Sequence, residues 1–380
     1  MILLFWSRVI KNKFKEGEYK LKKLTYKNML DIINGSALLG AGGGGSIKSG
    51  LMLAEQIKTL NIEPVLITVD ELKGSEKIAT VAGMGAPTAM LEKRFDIESI
   101  NALELLERTI DSRIDCLIPV ETGAFNTMVP IYAGAKKGLP ILDADGAGRA
   151  VPELEMLMFH FYDIPPSPFA IADKKSNAAV VYTKNSFDCE NIARNVISAL
   201  GMSGGIASYV MDSNMCKQAM IPGTVSIAEK IGVTIRDAIE NNNDFVKLLI
   251  DQFNGYELIR GRVQDLTTQT KEGFDFGRYI VHGFGKFEGN VLTVEYKNEN
   301  MVAKKNGKIV AMAPDLICSI SVRGQALTNA DLKEDMEIAV LAFPCHAKWR
   351  ELNGYKVFKH VIEKLGYDGD YVTVEELNRN

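Results

Sequence analysis

The sequence has little of what would mark a secreted, membrane or nucleic-acid-binding protein. Its five cysteines are odd in number and form no CxxC pair, which indicates reduced thiols in a cytoplasmic protein. The apolar start MILLFW is shorter than a signal peptide's core of roughly 7–15 residues or a membrane helix of about 20. The 44 basic side chains nearly balance the 48 acidic ones and form no basic stripe with aromatics. We therefore expect a cytoplasmic protein without membrane or nucleic-acid partners.

Motifs for metal and nucleophilic catalysis are also missing. The four histidines form neither an HxH nor an HExxH pattern. Cys345 and His346 are adjacent, so on a strand they would point to opposite faces and could not share a zinc ion. The chain has no SxxK pair for serine chemistry, and the GMSGG string at residues 201–205 follows a helix-like segment instead of a strand, so it is not a GxSxG elbow. The sequence therefore predicts no cofactor with certainty, although it leaves open that carboxylates bind a divalent metal ion.

The pattern of apolar segments predicts two different kinds of sheet. The 380 residues suggest about two domains. In the first half, continuous apolar runs such as 64–69, 77–87 and 114–121 are separated by helix-like segments. This alternation is typical of a mainly parallel sheet covered by helices. Between about residues 255 and 345 the apolar segments become short and closely spaced, which favours a small barrel or sandwich.

These patterns predict an α/β protein of two domains. Residues 24–170 form an N-terminal α/β domain with glycine-rich loops, and residues 1–23 are an extension outside the fold. A proline-rich stretch, DIPPSP, lies at the end of this domain. Residues 171–380 form a second α/β domain that carries the β-rich segment 255–345.

Four consecutive glycines, Gly42–Gly45, are the strongest local signal. Such a run has a large conformational entropy cost, so it indicates positive φ angles or close approach of a ligand to bare N–H groups. It is not a P-loop, because no GK[ST] closes it, and nucleotide binding is therefore disfavoured. The alternative is a purely structural turn.

Three loops that follow predicted strands carry polar side chains beside glycines. Ligands in parallel sheets bind beyond the carboxyl ends of the strands, so these loops are expected to converge. The carboxylates among them are candidates for a general base, a substrate anchor or a metal ligand. The alternative is structural: Asp145 would cap the next helix and Asp143 would pair with Arg149. The loops contain Gly85, then Glu121, Gly123 and Asn126, then Asp143, Asp145 and Arg149.

An ordered set of segments resembles the S-methyl thiohydantoin desulfurase family, which is often labelled hydantoinase-like. The set covers roughly residues 25–376, and one departure is Thr122, where the family pattern suggests a second glycine. The first half contributes LLGAGGGG (38–45), GMGAP (83–87), ETGAFN (121–126) and LDADGAGRAVPELEM (142–156). The second half contributes PGTVSIAEKIG (222–232), VEYKNENMVA (294–303), MAPDLI (312–317) and GYDGDYVTVEE (366–376).

The resemblance implies a hydrolase that removes sulfur from a five-membered thiohydantoin ring. Such a reaction needs a base for the attacking water, and the candidates are Glu121, Asp143 and Asp145. Developing negative charge needs donors, for which the backbone N–H groups of Gly43–Gly45 and Gly123 are suited. Gly85 would line the same cavity. Asn126 could bind the ring amide, and Arg149 could bind a substrate carboxylate as a bidentate fork.

Two other functions stay open. A hydantoinase or oxoprolinase-like enzyme would use the same acids to open a cyclic amide. A non-catalytic protein could bind a heterocyclic metabolite in the same place, although carboxylates gathered on glycine loops favour catalysis. In each case the partner is a small heterocyclic molecule, and the sequence leaves room for a homo-oligomer.

Overall fold

The computed structural model describes residues 21–85, 94–271 and 273–379. Most of the expected N-terminal extension, residues 1–20, lies outside the described residues. The described helices are α1 Tyr26–Leu39, α2 Ile47–Thr59, α3 Glu98–Thr109, α4 Met128–Lys137, α5 Met158–Phe161, α6 Ser186–Ala199, α7 Ser213–Ala219, α8 Thr224–Glu240, α9 Phe245–Phe253, α10 Ala347–Glu351, α11 Lys356–Lys364 and α12 Val374–Leu377.

The described strands fall into two eight-stranded sheets and one short pair. Those of the first half are β1 Lys22–Lys23, β2 Val65–Ile67, β3 Ile78–Gly85, β4 Cys116–Pro119, β5 Ile141–Leu142, β6 Ala144–Asp145, β7 Phe169–Ala172, β8 Ala178–Val181 and β9 Ser203–Met211. Those of the second half are β10 Ile221–Pro222, β11 Tyr256–Lys271, β12 Phe274–Gly283, β13 Val291–Lys297, β14 Glu299–Lys305, β15 Lys308–Met312, β16 Leu316–Ser321, β17 Ala326–Leu327 and β18 Glu337–Phe343.

The first sheet has the order β1-β2-β5-β4-β3-β9-β7-β8. Its centre is parallel, because β2, β5, β4 and β3 pair in the same direction. Strands β1, β9, β7 and β8 add antiparallel pairs on the two sides. The parallel strands are almost fully buried, as the continuous apolar runs predicted. The carboxyl ends of β3 and β4 therefore point to the same edge of the sheet.

The second sheet is antiparallel, with the order β15-β14-β13-β12-β11-β18-β16-β17. It curls on itself until β14 reaches β16, where Asn300 Nδ2 donates to the Ile317 carbonyl at 2.8 Å. Alternate side chains of its strands form a separate apolar core inside the curl. The predicted fold class is confirmed: a β-rich segment follows a helix-and-sheet unit with parallel strands at its centre.

The two sheets are joined by a fully buried arginine. Arg149 Nη1 donates to the carbonyls of Pro314 and Asp315 at 2.9 and 3.1 Å. Its Nη2 donates to the Asn300 carbonyl at 3.2 Å, and its Nε donates to the Ala150 carbonyl at 3.0 Å. The guanidinium thus fixes the loop after β6 against strand β14 and the turn before β16.

Within the described residues, no helix is long and apolar enough to cross a bilayer. All five cysteines are buried free thiols.

Candidate active site

A small cavity of about 110 Å³ lies where the end of β3 and the loop after β4 meet the beginning of β14. Two carboxyl groups, Glu121 and Glu299, face it from different sheets. Its other lining residues are Gly44, Gly45, Ala82, Gly83, Met84, Gly85, Val120, Phe125, Asn126, Val151, Pro152, Glu153, Leu154, Leu157, Glu190, Arg194, Ile206 and Asn298.

Glu121 is buried and held by two donors. Asn126 Nδ2 donates to its Oε1, and the Val151 amide donates to its Oε2, each at 2.7 Å. Asn126 is itself oriented by the Gly83 amide, which donates to its Oδ1 at 3.1 Å. Burial raises the pKa of Glu121 to about 7, although both hydrogen bonds favour the ionised form. Glu121 therefore changes its charge near neutral pH, as a general base should.

Glu299 is the first residue of β14 and is almost fully buried. Burial and the charge of Glu121 raise the pKa of Glu299 well above its usual value, against the lowering effect of Arg149 and the Gly44 amide. Its Oε2 has no hydrogen-bond partner among the described residues. The charge of Glu121 therefore disfavours ionisation of Glu299, and the donors on Glu121 favour the negative charge there. Glu299 is thus the protonated member of the pair at neutral pH.

The glycine run lets Glu299 reach this position. A Cβ on Gly43 would lie 1.9 Å from Glu299 Oε1, so only glycine leaves room for the carboxyl. Gly44 has a φ of +70° and packs against Gly123, where a Cβ would lie 2.4 Å from the Gly123 Cα. The run therefore packs tightly against Glu299 and Gly123, and Gly44 and Gly45 form part of the cavity wall.

A larger chamber of about 620 Å³ continues from the inner cavity. The two share Gly85, Glu153, Glu190 and Arg194 as walls. We call the larger space the outer chamber and the cavity of about 110 Å³ the inner cavity. A small ring could occupy the inner cavity while a ring substituent extends into the outer chamber.

Glu153 stands between the two spaces in a charged network. Lys297 Nζ forms a close ion pair with its Oε1, and His360 Nε2 lies 2.9 Å from its Oε2. Burial would raise the pKa of Glu153, but the hydrogen bond with His360 and the charge of Lys297 lower it to about 2. Glu153 is therefore an anion throughout the physiological range and is not suited to be a general acid.

Arg194 and Lys297 enclose an aromatic ring at the wall of the outer chamber. The Arg194 Cζ lies 3.7 Å from the centroid of the Phe274 ring, and the Lys297 Nζ lies 3.9 Å from it. Arg194 also pairs closely with Glu190 and donates to the carbonyls of Gly273 and Pro152. These contacts stiffen the wall and tie β12 to the loop that carries Glu153.

Five of the residues predicted from sequence line the inner cavity together: Gly44, Gly45, Gly85, Glu121 and Asn126. Gly43 and Gly123 lie beneath it. Their amides are occupied, since Gly43 N donates to the Gly40 carbonyl at 2.9 Å and Gly123 N donates to Thr127 Oγ1 at 3.1 Å. The Gly44 amide acts on the Glu299 carboxyl, so the suggested role of binding developing negative charge narrows to Gly45.

Asp143 and Asp145 are not among the cavity-lining residues. Asp143 accepts from the amide and hydroxyl of Ser226, at 2.9 and 2.5 Å, and so holds the first turn of α8. Asp145 accepts from Thr122 Oγ1 at 2.5 Å and from the amides of Ala147 and Gly148 at 3.2 and 2.7 Å. Both carboxylates have internal partners, which matches a structural role. The partner of Asp143 is Ser226, however, and not Arg149.

Arg149 also lies outside the inner cavity. Its fully buried guanidinium is committed to backbone carbonyls, so it has no free edge for a substrate carboxylate. Its charge still acts on the site, because it lowers the pKa of both Glu121 and Glu299.

Sequence reasoning missed Glu299, Lys297 and the Glu190–Arg194 pair. Lys297 and Glu299 flank Asn298, which turns the chain between β13 and β14 with a φ of +55°. The only local signal for them is this turn, in which two charged residues become buried. Among the described residues, one cluster could hold a metal ion: Glu153, Glu155 and His360.

Comparison with known proteins gives a family. Residues 27–183 match the model of the S-Me-THD-like N-terminal domain, and residues 184–374 match that of the C-terminal domain. A crystal structure of a protein from Chromobacterium violaceum, from the Northeast Structural Genomics Consortium, superimposes with a TM-score of 0.80. The two share 24% identity over 93% of this chain and 100% of the other, so the likeness concerns the fold. Among curated proteins there is no match.

Proposed function

The chain belongs to the S-Me-THD-like family, and on that premise we propose that it hydrolyses the carbon–sulfur bond of a five-membered thiohydantoin ring. The preferred substrate is an S-methyl thiohydantoin, and the products are a hydantoin and methanethiol. The observation that carries the proposal is the pair of buried carboxyls, Glu121 and Glu299, that line one small cavity.

The pair supplies both functions that the reaction needs. Water must attack the ring carbon that bears sulfur, so one of its protons must be accepted. Glu121 is oriented by Asn126 and the Val151 amide, and its ionised form is the base. Glu299 carries a proton and is the acid that protonates the ring nitrogen as the water adds.

The second half of the reaction restores both carboxyls. Collapse of the tetrahedral adduct breaks the carbon–sulfur bond and forms the ring carbonyl. The hydroxyl proton of the adduct returns to Glu299, and Glu121 gives its proton to the departing thiolate. One water is consumed, one methanethiol leaves, and no redox partner or cofactor is needed for this balance.

The surroundings support charge separation in the adduct. Glu121 and Glu299 are both buried, which strengthens the electrostatic interactions that they make. Gly45 lies at the wall of the cavity, and its amide is suited to stabilise negative charge that develops on the ring. The outer chamber would accept the ring substituent.

A panel of S-methyl thiohydantoins, thiohydantoins and hydantoins, assayed for thiol, sulfide and ring-opened acid, tests the proposal. We expect one thiol per hydantoin formed. Ring-opened product without thiol would instead identify a hydantoinase-like cyclic amide hydrolase. Binding without any product would identify a heterocycle-binding protein.

A further inference from the structure

We propose that Glu153, Glu155 and His360 form a binding site for a divalent transition-metal ion at the wall of the outer chamber. Each side chain offers one ligand atom, and these three atoms lie within 4.8 Å of one another. A single ion placed among them would contact all three. The proposal concerns binding, and it does not require that the hydrolysis proposed above is correct.

Two separate elements present the three ligands. Glu153 and Glu155 lie on either side of Leu154, at the start of a short 3₁₀ helix, Leu154–Met156. His360 comes from the middle of α11. The Nε2 of His360 already lies 2.9 Å from Glu153 Oε2, so little movement would bring both atoms onto an ion. The His360 side chain is 41% exposed, which gives an ion a path from the chamber.

Glu155 provides an independent sign that a partner belongs here. The residue is only 3% exposed, yet its Oε2 has no hydrogen-bond partner among the described residues. An unpaired carboxyl oxygen in a buried position carries a desolvation cost that nothing in the surrounding structure offsets. A cation bound to that oxygen would remove the cost.

Glu153 is oriented as a ligand should be. Lys297 holds Oε1 and leaves Oε2 directed towards His360. Carboxylate ligands of metal ions are commonly held in this way by a partner outside the coordination sphere. The charge of Lys297 also opposes a second cation. Apart from Glu299, four carboxyls nevertheless line the two cavities, against three cationic side chains. The carboxyls are Glu121, Glu153, Glu155 and Glu190, and the cations are Arg194, Lys297 and Lys364.

The ligand set indicates the class of ion. Two carboxylate oxygens and one imidazole nitrogen, without a thiolate, suit Zn²⁺ or Mn²⁺ and leave open positions for water. The soft ion Cu⁺ would lack the sulfur ligands it prefers.

The test is direct binding of ZnCl₂ and MnCl₂ to the full chain after chelator treatment, measured by calorimetry and by metal analysis after dialysis. We expect about one ion per chain for at least one of the two metals. His360→Asn and Glu155→Gln should each weaken binding by at least about tenfold, the scale seen when a metal site loses a supporting contact. His282→Asn is the matched control, because His282 is exposed on β12 outside both cavities.

Circular dichroism and the thermal midpoint of each metal-free variant show whether it is folded. His360 is partly exposed, so its replacement should leave the fold intact even if that of buried Glu155 does not. The proposal is overturned if the wild-type chain binds neither ion. It is also overturned if folded His360→Asn binds as tightly as His282→Asn. Since turnover is not the readout, failure here and failure of the hydrolase proposal are distinct results.

Discussion

Glu121 and Glu299 line the same cavity, although each is positioned by a different sheet. Glu121 follows β4 of the first sheet, and Glu299 begins β14 of the second. The charge of Glu121 raises the pKa of Glu299, and the amides around Glu121 fix the negative charge on Glu121. The two carboxyls therefore come together only when the two sheets are docked.

Asp145→Asn should keep near-native turnover. The amide oxygen can still accept from Ala147 and Gly148, and its NH₂ group can donate to Thr122 Oγ1. We expect a change in the free energy of unfolding of less than about 1 kcal/mol near pH 4, where the wild-type carboxyl is protonated in the folded protein, as for a capping contact that is retained. Chemical denaturation and a turnover assay measure both effects. A hundredfold loss of turnover with normal stability would make Asp145 catalytic after all.

The same variant should change the pH dependence of stability. Burial raises the pKa of Asp145 to about 7 in the folded protein, above the value of about 3.9 for an unfolded aspartate. The protonated carboxyl thus favours folding fully below about pH 4, and this contribution is lost as the pH rises through about 7. As the pH rises from about 4 to about 7, the wild type should lose more stability than Asp145→Asn does. If the curves of stability against pH run parallel for the two proteins, Asp145 does not have a raised pKa in the folded protein.

Glu299→Gln should remove one limb of the pH–rate profile. In the wild type, kcat/KM should rise with pH through about 7 as Glu121 ionises and fall at higher pH as Glu299 loses its proton. Glutamine resembles protonated Glu299 but cannot give up a proton. We expect a loss of about 10²–10⁴ in turnover, with the acid limb kept and the alkaline limb absent. An unchanged bell-shaped profile would assign the alkaline limb to another group.

Asn126→Asp should move the acid limb to higher pH. The change replaces the donor on Glu121 Oε1 with a second carboxyl, while the Gly83 amide keeps an acceptor. A neighbouring carboxylate disfavours ionisation of Glu121, so its pKa should rise. Asn191→Asp adds the same charge at an exposed position on the outer chamber and is the control. If both variants move the acid limb by the same amount, the shift comes from the added negative charge in general and not from the contact of residue 126 with Glu121.

Gly43→Ala should act through Glu299. Gly43 N donates to Gly40, which alanine preserves, but the new methyl group would lie 1.9 Å from Glu299 Oε1 and displace the carboxyl. We expect Gly43→Ala alone to cause a large loss of turnover. When it is combined with Glu299→Gln, we expect almost no loss beyond that of Glu299→Gln alone. This double-mutant cycle separates displacement of Glu299 from a general distortion, because additive losses would indicate two independent effects.

The sequence predicted the fold class because both sheets have simple periodic signatures. Continuous apolar runs gave the parallel strands, and closely spaced segments gave the antiparallel sheet. Strand ends in a parallel sheet converge, so Glu121 and Asn126 could be placed in one loop at the site. Glu299 could not be placed there from sequence. It reaches the cavity because the second sheet docks on the first and because Gly43 has no side chain in its way.

The misplaced residues share a physical reason. Asp143, Asp145 and Arg149 have the residue types of an active site, but hydrogen bonds to the backbone or to small side chains satisfy them. The partners of Arg149 lie in the second half of the chain, on β14 and in the turn before β16. No local pattern distinguishes a carboxylate that holds a turn from one that faces a cavity.

Methanethiol release by Glu121→Gln, with an S-methyl thiohydantoin as substrate, tests the central claim most directly. Glutamine keeps the shape and the contact with Asn126 but removes the base. We expect turnover to fall by at least about a hundredfold, with a thermal midpoint close to that of the wild type. Near-native methanethiol release by this variant would contradict the assignment of Glu121 as the base that activates water.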